Sequence, residues 1–436
     1  MIRLSTKTVF EQGVFNLQRS QADVYRTQEQ ISTGRRIQNP SDDPVASARS
    51  LEVEQSREIS KQYQRNNDSA QATLMASENA ISNAVALLQD VRTVAVNAGN
   101  GALSPNELKS LASELRGRYQ ELLGIANTTD GNGLYLFSGY QGTTRPFAET
   151  TPGNVFYAGD QGSRLIRISA SREIPSSDPG SDIFQRIMNG NGTFVTEASD
   201  DNTGSGVIGP GAVTSPLAWN DDANPRDFSV RFHRDETVMP PVTTYDIVDN
   251  STGDSLLTGA PAAADGPYLR TYSDDGTISL RRQAPPDTNT ADFNYGVEFS
   301  VKGNPATGDE FTIQASRNED VFTTLHNLIV TLETASSGAA ANARLANGIN
   351  TALSNFDRDI DNLLRVQASM GVRLRETDDA YSNQEDLIAQ YDETLSNLRD
   401  LDYAKALSDL ARQQLTYEAA QKTFAQVQSL SLFQYI

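Results

Sequence analysis

The side chains that most often carry catalysis or bind metals are scarce in this sequence of 436 residues. It contains no cysteine, so thiol catalysis and thiolate metal sites are excluded, and its two histidines are His233 and His326. The strings of a P-loop, a nucleophile elbow and a His-Glu-x-x-His zinc site are absent. The sequence therefore predicts no enzyme activity and no cofactor, and it offers no catalytic, cofactor-binding or metal-binding residue.

Short glycine-rich and acidic strings are the remaining candidates for a ligand site. Gly131-Asn132-Gly133 lacks the third glycine of a dinucleotide fingerprint, and Asp200-Asp201-Asn202 lacks the spaced ligands and closing glutamate of a calcium loop. Because Asn, Asp and Gly favour turns, we interpret both strings as turns. Trp219, the single tryptophan, leaves open a sugar-binding surface in the middle of the chain.

The overall charge restricts the class of partner. The chain has 36 basic and 56 acidic side chains and a formal net charge of −20. Phosphate binding needs clustered lysine and arginine, so this acid excess argues against nucleic acid and against an anionic membrane surface. The sequence also has no stretch with the apolar length that crosses a bilayer and no apolar core of a secretory signal peptide. We expect neither a nucleic-acid partner nor a membrane partner.

Proline divides the chain into a middle and two flanks. Of 17 prolines, 14 lie between Pro146 and Pro305, and none follows Pro305. Proline breaks helices, so the flanks are predicted to be helical and the middle to consist of strands and loops. The alternation of Phe228, Val230 and Phe232 with polar residues is typical of short antiparallel strands.

Two proline-containing strings mark helix starts. Ser41 precedes Pro44 and is expected to cap the helix that follows. Ser104 precedes Pro105, and Glu107 stands three residues after Ser104, which predicts a capping box.

Apolar residues recur at seven-residue spacing in both flanks. A repeat of 3.5 residues per turn keeps one narrow seam facing a partner helix, which is coiled-coil geometry. Within the C-terminal flank, Ile360 and Leu363 are expected to be buried. The series are Phe10, Leu17, Val24 and Ile31 with Val14 beside them; Leu74, Ile81, Leu88 and Ala95; Ile349, Phe356, Leu363 and Met370 with Ile360 interleaved; and Tyr403, Leu410, Tyr417 and Phe424.

Helical flanks around a β-rich middle predict an α+β multidomain protein. Both termini are expected to form an elongated antiparallel helical coiled coil or bundle, with a β-rich outer domain inserted between them. The predicted parts are a terminal coiled-coil assembly domain of residues 1–40 and 402–436, a helical rod domain of residues 41–142 and 318–401 with a β-hairpin near 133–147, and the outer domain of residues 143–317.

The two ends of the chain have thin apolar seams and little core of their own. We therefore predict that residues 1–36 and 403–436 are disordered in the free monomer and become helical on assembly, since ordering costs roughly 1–2 kcal/mol per residue. The predicted assembly interface consists of Phe10, Val14, Leu17, Val24, Ile31, Leu407, Leu410, Tyr417, Phe424, Val427, Leu430 and Phe433.

Several longer strings resemble the flagellin superfamily. Ile31-Ser32-Thr33-Gly34-Arg35-Arg36-Ile37 followed by Asn39-Pro40-Ser41-Asp42-Asp43-Pro44 resembles its N-terminal signature, in the version found in hook–filament junction proteins. Gly133-Leu134-Tyr135-Leu136-Phe137-Ser138-Gly139 is similar to the β-hairpin after their third helix. The ending Leu432-Phe433-Gln434-Tyr435-Ile436 is similar to their C-terminus, with Gln434 where an acidic residue is common.

The resemblance implies a structural role at the junction between the flagellar hook and the filament. Members of this branch leave the cell unfolded through the type III export apparatus, without a cleaved signal peptide, and act outside the cell. The implied partners are hook-associated protein 1, flagellin, further copies of the chain in a ring layer, and a cytoplasmic export chaperone on the C-terminal helix. Two alternatives stay open: a flagellin filament subunit, and a glycan-binding surface module on the outer domain.

Overall fold

The computed structural model describes residues 6–429 apart from Asp265 and Asp275, and it leaves out the side chains of Thr6, Val9 and 427–429. The helices are α1 Thr6–Thr33, α2 Pro44–Ala98, α3 Pro105–Ala126, α4 Gly180–Phe184, α5 Pro216–Trp219, α6 Val321–Glu333, α7 Ala339–Arg399 and α8 Tyr403–Ser429. The strands are β1 Phe147–Thr151, β2 Asn154–Tyr157, β3 Leu165–Ser169, β4 Arg172–Pro175, β5 Ile187–Met188, β6 Phe194–Ala198, β7 Val207–Ile208, β8 Ala212–Val213, β9 Asp227–Asp235, β10 Val242–Asp249, β11 Asp254–Ser255, β12 Arg270–Thr271, β13 Thr277–Arg281, β14 Asn294–Lys302, β15 Glu310–Ala315 and β16 Asn318–Glu319.

Local sequence signals set where two of the long helices begin. At α3 the Glu107 carboxylate accepts a hydrogen bond from the Ser104 N–H at 2.7 Å, and the Ser104 hydroxyl accepts one from the Glu107 N–H, which is the predicted capping box. At α2 the expectation for Ser41 is wrong. Asp43 accepts the bond from the Ala46 N–H at 3.0 Å instead, because Pro44 takes the first helical position and the residue before it becomes the cap.

Contacts divide the structure into two compact units. The terminal unit contains the described residues of Met1–Asp68, Arg167–Arg172 and Asp378–Ile436, and the central unit contains Ser69–Ile166 and Glu173–Thr377. The first part of α2 and the last part of α7 belong to the terminal unit, and the remaining parts of both helices belong to the central unit. The three-domain division and its boundaries stay a prediction.

In the terminal unit, the first part of α2 runs antiparallel to the last part of α7. Arg57 forms an ion pair with Asp392 at 2.9 Å, and Arg399 forms one with Glu54 at 2.6 Å. The side chains buried along α2 here include Ser50, Ser60 and Asn67, so this seam is more polar than an ideal coiled coil. Such a seam buries less apolar surface than an ideal coiled coil does. The pairing of α2 with α7 here therefore depends more on the segments packed around it.

The helical part of the central unit has a conventional apolar core. Helices α3 and α6 pack against each other, with the rings of Tyr119 and Phe322 6.2 Å apart in an edge-to-face arrangement. Arg92 of α2 pairs with Asp357 of α7 at 2.7 Å. The buried residues on α2 and α7 that belong to the predicted heptad series are Leu74, Ile81, Leu88, Ala95, Ile349, Phe356, Leu363 and Met370.

Two nearby residues of α7 were both predicted to be buried, and the structure buries only one of them. Leu363 is 1% exposed, as predicted, whereas Ile360 is only half-buried. The interleaved series that contains Ile360 lies at the edge of the seam, since a helix with 3.6 residues per turn drifts away from an exact seven-residue repeat.

Leu363→Ala is expected to lower the free energy of unfolding of the central unit by about 2–5 kcal/mol, because it removes apolar contacts and leaves a cavity. The adjacent Leu364 is 43% exposed and provides a matched control. Leu364→Ala is expected to stay within about 0.5 kcal/mol of the parent chain. Chemical denaturation followed by circular dichroism measures both, and equal costs for the two variants would contradict the assignment of Leu363 to the core.

The middle of the chain forms antiparallel sheets, as the sequence predicts. The largest has the strand order β11-β10-β9-β15-β6, with β12 also paired to β10. A second sheet has the order β13-β14-β7, with β8 paired to β14. Phe228, Val230 and Phe232 of β9 are fully buried, because β9 lies between β10 and β15 and its alternating apolar face meets the second sheet's residues in one core.

Trp219 belongs to that core and lies on no sugar-binding surface. Its side chain is 2% exposed, and its ring packs 5.6 Å from the ring of Phe194 and 6.3 Å from that of Phe228. The indole N–H donates a hydrogen bond to the Thr193 carbonyl at 3.2 Å. The role considered for Trp219 from the sequence is therefore wrong, because a buried indole cannot stack on a sugar ring.

Candidate assembly interface

The first and last helices of the described chain form an antiparallel pair. Near one end of the pair, the rings of Phe10 and Phe424 lie 5.3 Å apart. Toward the other end, the Thr27 hydroxyl donates a hydrogen bond to Oε1 of Gln413 at 2.8 Å. The structure thus brings the N-terminal and C-terminal apolar series together along α1 and α8.

The helices approach closely where the sequence provides glycine. A methyl group on Gly13 would come within 2.7 Å of the Phe424 ring. Gly34, which follows α1, has a φ of 68°, and a methyl group there would come within 2.9 Å of the Tyr403 hydroxyl oxygen. Glycine is therefore required at position 34 for two reasons: it adopts the left-handed conformation, and it leaves room for the first residue of α8.

The residues after α1 bind the turn between α7 and α8. The Leu401 N–H donates to the Gly34 carbonyl at 2.9 Å, and the Arg36 N–H donates to the Arg399 carbonyl at 2.7 Å. The Arg36 guanidinium also donates to the Leu398 carbonyl at 2.7 Å. The Gly34-Arg35-Arg36 string that resembles the flagellin signature is thus the structural tie between the two ends of the chain.

The acidic pair before α2 completes this tie. Arg26 of α1 forms an ion pair with Asp42 at 2.7 Å, and Arg36 forms one with Asp43 at 3.4 Å. The backbone N–H of Asn39 lowers the pKa of Asp42, and the backbone N–H of Ala46 lowers that of Asp43. Both carboxyls are solvated, so they fix the geometry of the connection more than its stability.

Side chains of the predicted interface lie on the paired helices, and the pair leaves them incompletely covered. Phe10 is 46% exposed and Leu407 is 54% exposed. Seven others are half-buried: Val14, Leu17, Val24, Ile31, Leu410, Tyr417 and Phe424. Leu430 and Phe433 lie outside the described residues, as does the side chain of Val427. Their role in assembly stays a prediction.

Three exposed apolar side chains on the same helices were missed by the heptad reasoning. Phe15 is 58% exposed, Tyr25 is 61% exposed, and Leu415 is 68% exposed. They lie outside the seven-residue series, so a two-helix pattern assigns them no partner. A large apolar residue outside the seven-residue repeat was the signal available, and it indicates a second face for a further molecule.

Gly34→Ala is expected to lower the stability of the terminal unit by about 1–3 kcal/mol, the cost of a non-glycine residue held at positive φ against a close neighbour. Gly117 of α3, where a methyl group would meet open space, provides the control: Gly117→Ala should be stabilising by about 0.5–1 kcal/mol. Denaturation followed by circular dichroism measures both. An unchanged midpoint for Gly34→Ala would contradict the role assigned to this glycine.

Two other kinds of site are absent from the described part of the chain. No group of histidine, aspartate and glutamate side chains there is arranged to hold a metal ion. None of the described helices combines the length and the apolar character needed to cross a bilayer. The helix pair with its uncovered apolar faces is therefore the candidate functional site.

Two family models match the chain, one at each end, and both describe helical regions. The bacterial flagellin N-terminal helical region matches residues 5–142, and the bacterial flagellin C-terminal helical region matches residues 353–436. Together the two matches make up just over half of the chain. The chain belongs to the flagellin superfamily. The matched regions contain α1, α2, α3 and α8, and therefore both helices of the candidate interface.

Known members of the superfamily show which branch the chain resembles. It is 34% identical to flagellar hook-associated protein 3 of Salmonella typhimurium over 186 residues, 43% of this chain and 58% of that protein. A crystal structure of flagellar hook-associated protein 3 from Legionella pneumophila superposes with a TM-score of 0.68 at 27% identity, and covers 79% of this chain and 98% of that chain. A flagellin of Serratia marcescens is 31% identical over 129 residues, 30% of this chain and 37% of that protein.

These similarities confirm two predictions made from the sequence. The chain resembles the hook–filament junction proteins, and its fold combines helical termini with a β-rich middle. The chain spans less than two thirds of the curated hook-associated relative that it matches. It is a flagellar protein by family, and its relatives are structural proteins.

Proposed function

We propose that this chain is a structural subunit of the bacterial flagellum that joins the hook-associated layer to the flagellin filament. The observation that carries the proposal is its likeness to a solved hook-associated protein 3, which extends over 98% of that chain. The likeness to flagellin covers a smaller share of this chain, so the filament subunit is the weaker alternative. The proposed role is that of a connector, and it involves no catalysis.

The physical basis for assembly is the apolar surface of α1 and α8 that stays exposed in the single chain. Phe10 and Phe424 contact each other, yet Phe10 keeps 46% of its surface accessible. Each square ångström of apolar surface removed from water contributes about 25 cal/mol. Copies of the chain, hook-associated protein 1 and flagellin would supply the missing contacts, and the subunit would gain its final stability only in the assembly.

The same surface explains the need for a chaperone before export. We propose that the subunit acts outside the cell, that it leaves the cytoplasm through the flagellar type III apparatus without a cleaved signal peptide, and that a cytoplasmic chaperone first covers α8. Leu415 and Leu407 keep 68% and 54% of their surfaces accessible. Exposed apolar helices of this kind invite premature association, which a bound chaperone would prevent.

Immunogold labelling of native flagella with antibodies against residues 143–317 tests the proposal. Label confined to the boundary between hook and filament is the expected result. Label along the whole filament would overturn it and would identify the chain as the filament subunit. Purified chain that forms long filaments without other proteins would have the same meaning, so the two measurements provide independent tests.

A further inference from the structure

Three carboxyl groups lie close together where the chain returns from the sheets to the helices of the central unit. Glu319 ends β16, Asp320 precedes α6 as its N-cap, and Asp359 lies on α7. Asp359 is 3% exposed, and the charges of Glu319 and Asp320 both act on it. A buried carboxyl beside two others is unusual in a structural protein, since burial of like charges is costly.

Two of the three carboxyls are fully engaged as hydrogen-bond acceptors. Glu319 accepts bonds from the side-chain N–H groups of Asn189 and Asn355 and from the Thr324 hydroxyl, each at 3.1 Å. Asp320 accepts bonds from the Thr323 N–H at 2.7 Å and from the Thr323 hydroxyl at 2.8 Å. The bonds from Thr323 lower the pKa of Asp320, but burial acts more strongly and raises that pKa above its ordinary value.

Asp359 differs from its two neighbours. Its Oδ2 is buried and has no hydrogen-bond partner among the residues that the structure describes. A charged oxygen without a donor is strongly disfavoured in a dry site, whereas a protonated carboxyl removes the charge. The geometry therefore favours a neutral Asp359 beside Glu319 and Asp320.

The cluster holds several segments on α7. Asn355, which binds Glu319, also accepts a hydrogen bond from the Gly190 N–H at 2.8 Å. Strand β16 pairs with β5, so the loop after β5 and the start of α6 are attached to α7 at the same place. A charge that appears inside this joint would act on all of these contacts together.

Basic side chains on the surrounding elements are engaged elsewhere. The ion pairs are Arg358 with Asp361 at 2.8 Å on α7, Arg186 with Asp182 of α4 at 2.9 Å, and Arg317, which follows β15, with Glu197 of β6 at 3.9 Å. Beyond Asp320, Tyr119 of α3 donates a hydrogen bond to Glu149 at 3.0 Å. The basic side chains named here therefore pair with other carboxylates and do not neutralise the three carboxyl groups of the cluster.

We propose that Asp359, Glu319 and Asp320 form a pH-sensitive lock on the joint between β16, α6 and α7, closed while Asp359 is protonated and loosened when Asp359 ionises. The lock would be a property of the central unit, and it does not depend on the function proposed above.

The direction of the effect follows from linkage. Burial raises the pKa of Asp359 well above its ordinary value, and the charges of Glu319 and Asp320 raise it further. The native state then binds this proton more tightly than the unfolded chain does. The stabilising contribution is fully present below the unfolded pKa and is lost as pH rises through the folded pKa.

Hydrogen–deuterium exchange between pH 5 and 9, corrected for the intrinsic rate at each pH, tests the lock. In the parent chain, the amides of 187–192 and 318–324 are expected to lose protection by about tenfold or more as pH rises. Asp359→Asn keeps the shape of the side chain without its titration, and its protection should not depend on pH. Asp361→Asn alters an exposed carboxyl on the same helix and should behave like the parent chain.

Two outcomes would overturn the proposal. One is the same loss of protection in Asp359→Asn as in the parent chain. The other comes from Glu319→Gln, which removes a neighbouring charge and keeps an acceptor oxygen. That variant should move the midpoint of the loss to lower pH, because the proton on Asp359 is held less tightly. A midpoint that stays in place or moves upward would exclude Glu319 from the lock, even if Asp359→Asn does not fold.

Discussion

Arg270→Ala is expected to lower the free energy of unfolding of the central unit by about 3–5 kcal/mol, the usual cost of removing one partner of a buried ion pair. Arg270 is 2% exposed, and its guanidinium contacts both oxygens of Asp287, at 2.9 and 2.7 Å. It also donates to the carbonyls of Ser279 and Arg281 in β13. The variant would leave the Asp287 carboxylate buried without its counter-charge.

Trp219 makes this loss measurable in the unit concerned. It is the single tryptophan of the chain and lies in the same core as Ile278 and Leu280 of β13, so its fluorescence reports the unfolding of the sheets. Arg317→Ala is the control, because Arg317 is 66% exposed and pairs with Glu197 at 3.9 Å. Its expected cost is below about 1 kcal/mol.

A double variant separates charge from packing at this pair. Arg270→Met with Asp287→Leu removes both charges and keeps apolar volume, so it should cost less than Arg270→Ala alone. Equal costs for Arg270→Ala and Arg317→Ala would contradict a structural role for the buried pair. A double variant as unstable as Arg270→Ala would assign the cost to lost packing and lost backbone contacts rather than to the uncompensated carboxylate.

Tyr417→Asp with Phe424→Asp is expected to abolish both junction assembly and chaperone binding. Phe424 packs on Phe10 and on the backbone of Gly13, so a carboxylate there would be placed against an apolar partner. Tyr417 is half-buried on the same series of α8. Incorporation into flagella by microscopy and chaperone affinity by calorimetry measure the two effects, with circular dichroism to verify that the central unit stays folded.

Two single variants on α8 serve as controls for the double change. Leu415 is 68% exposed, so Leu415→Asp should leave the contact between Phe10 and Phe424 intact and still weaken assembly. Gln414 is an exposed polar neighbour, and Gln414→Asp adds the same charge at a position outside the predicted interface. Full assembly of Leu415→Asp would exclude the second face. Unchanged chaperone affinity in the double variant, with assembly lost, would mean that the chaperone binds another segment.

The sequence by itself determined the class of protein and most of its architecture. Helical and β-rich segments could be predicted because proline placement and apolar periodicity are local signals that tertiary contacts seldom override. The string around Gly34 and the pairing of the two ends were also readable, since seven-residue spacing requires a partner helix. The capping box at Ser104 could be predicted because it is a local signal: all its atoms lie within four residues.

Only the tertiary structure decided which of the candidate side chains are covered. Ile360 and Leu363 have equal apolar character, and their different burial depends on how α7 is rotated against its neighbours. Trp219 is buried because strands distant in sequence close over it.

The charged groups inside the central unit escaped prediction for a related reason. Asp287 lies 17 residues from Arg270, and Asp359 is separated by 40 residues of chain from Glu319, so no spacing rule connects either pair. A charged residue in a sequence is predicted to be solvated, because burying a charge without a partner costs much free energy. The fold supplies a counter-charge for Arg270 and acidic neighbours for Asp359. The exposure of Phe15 and Leu415 likewise depends on the tertiary structure, because it is set by the rotation of α1 against α8.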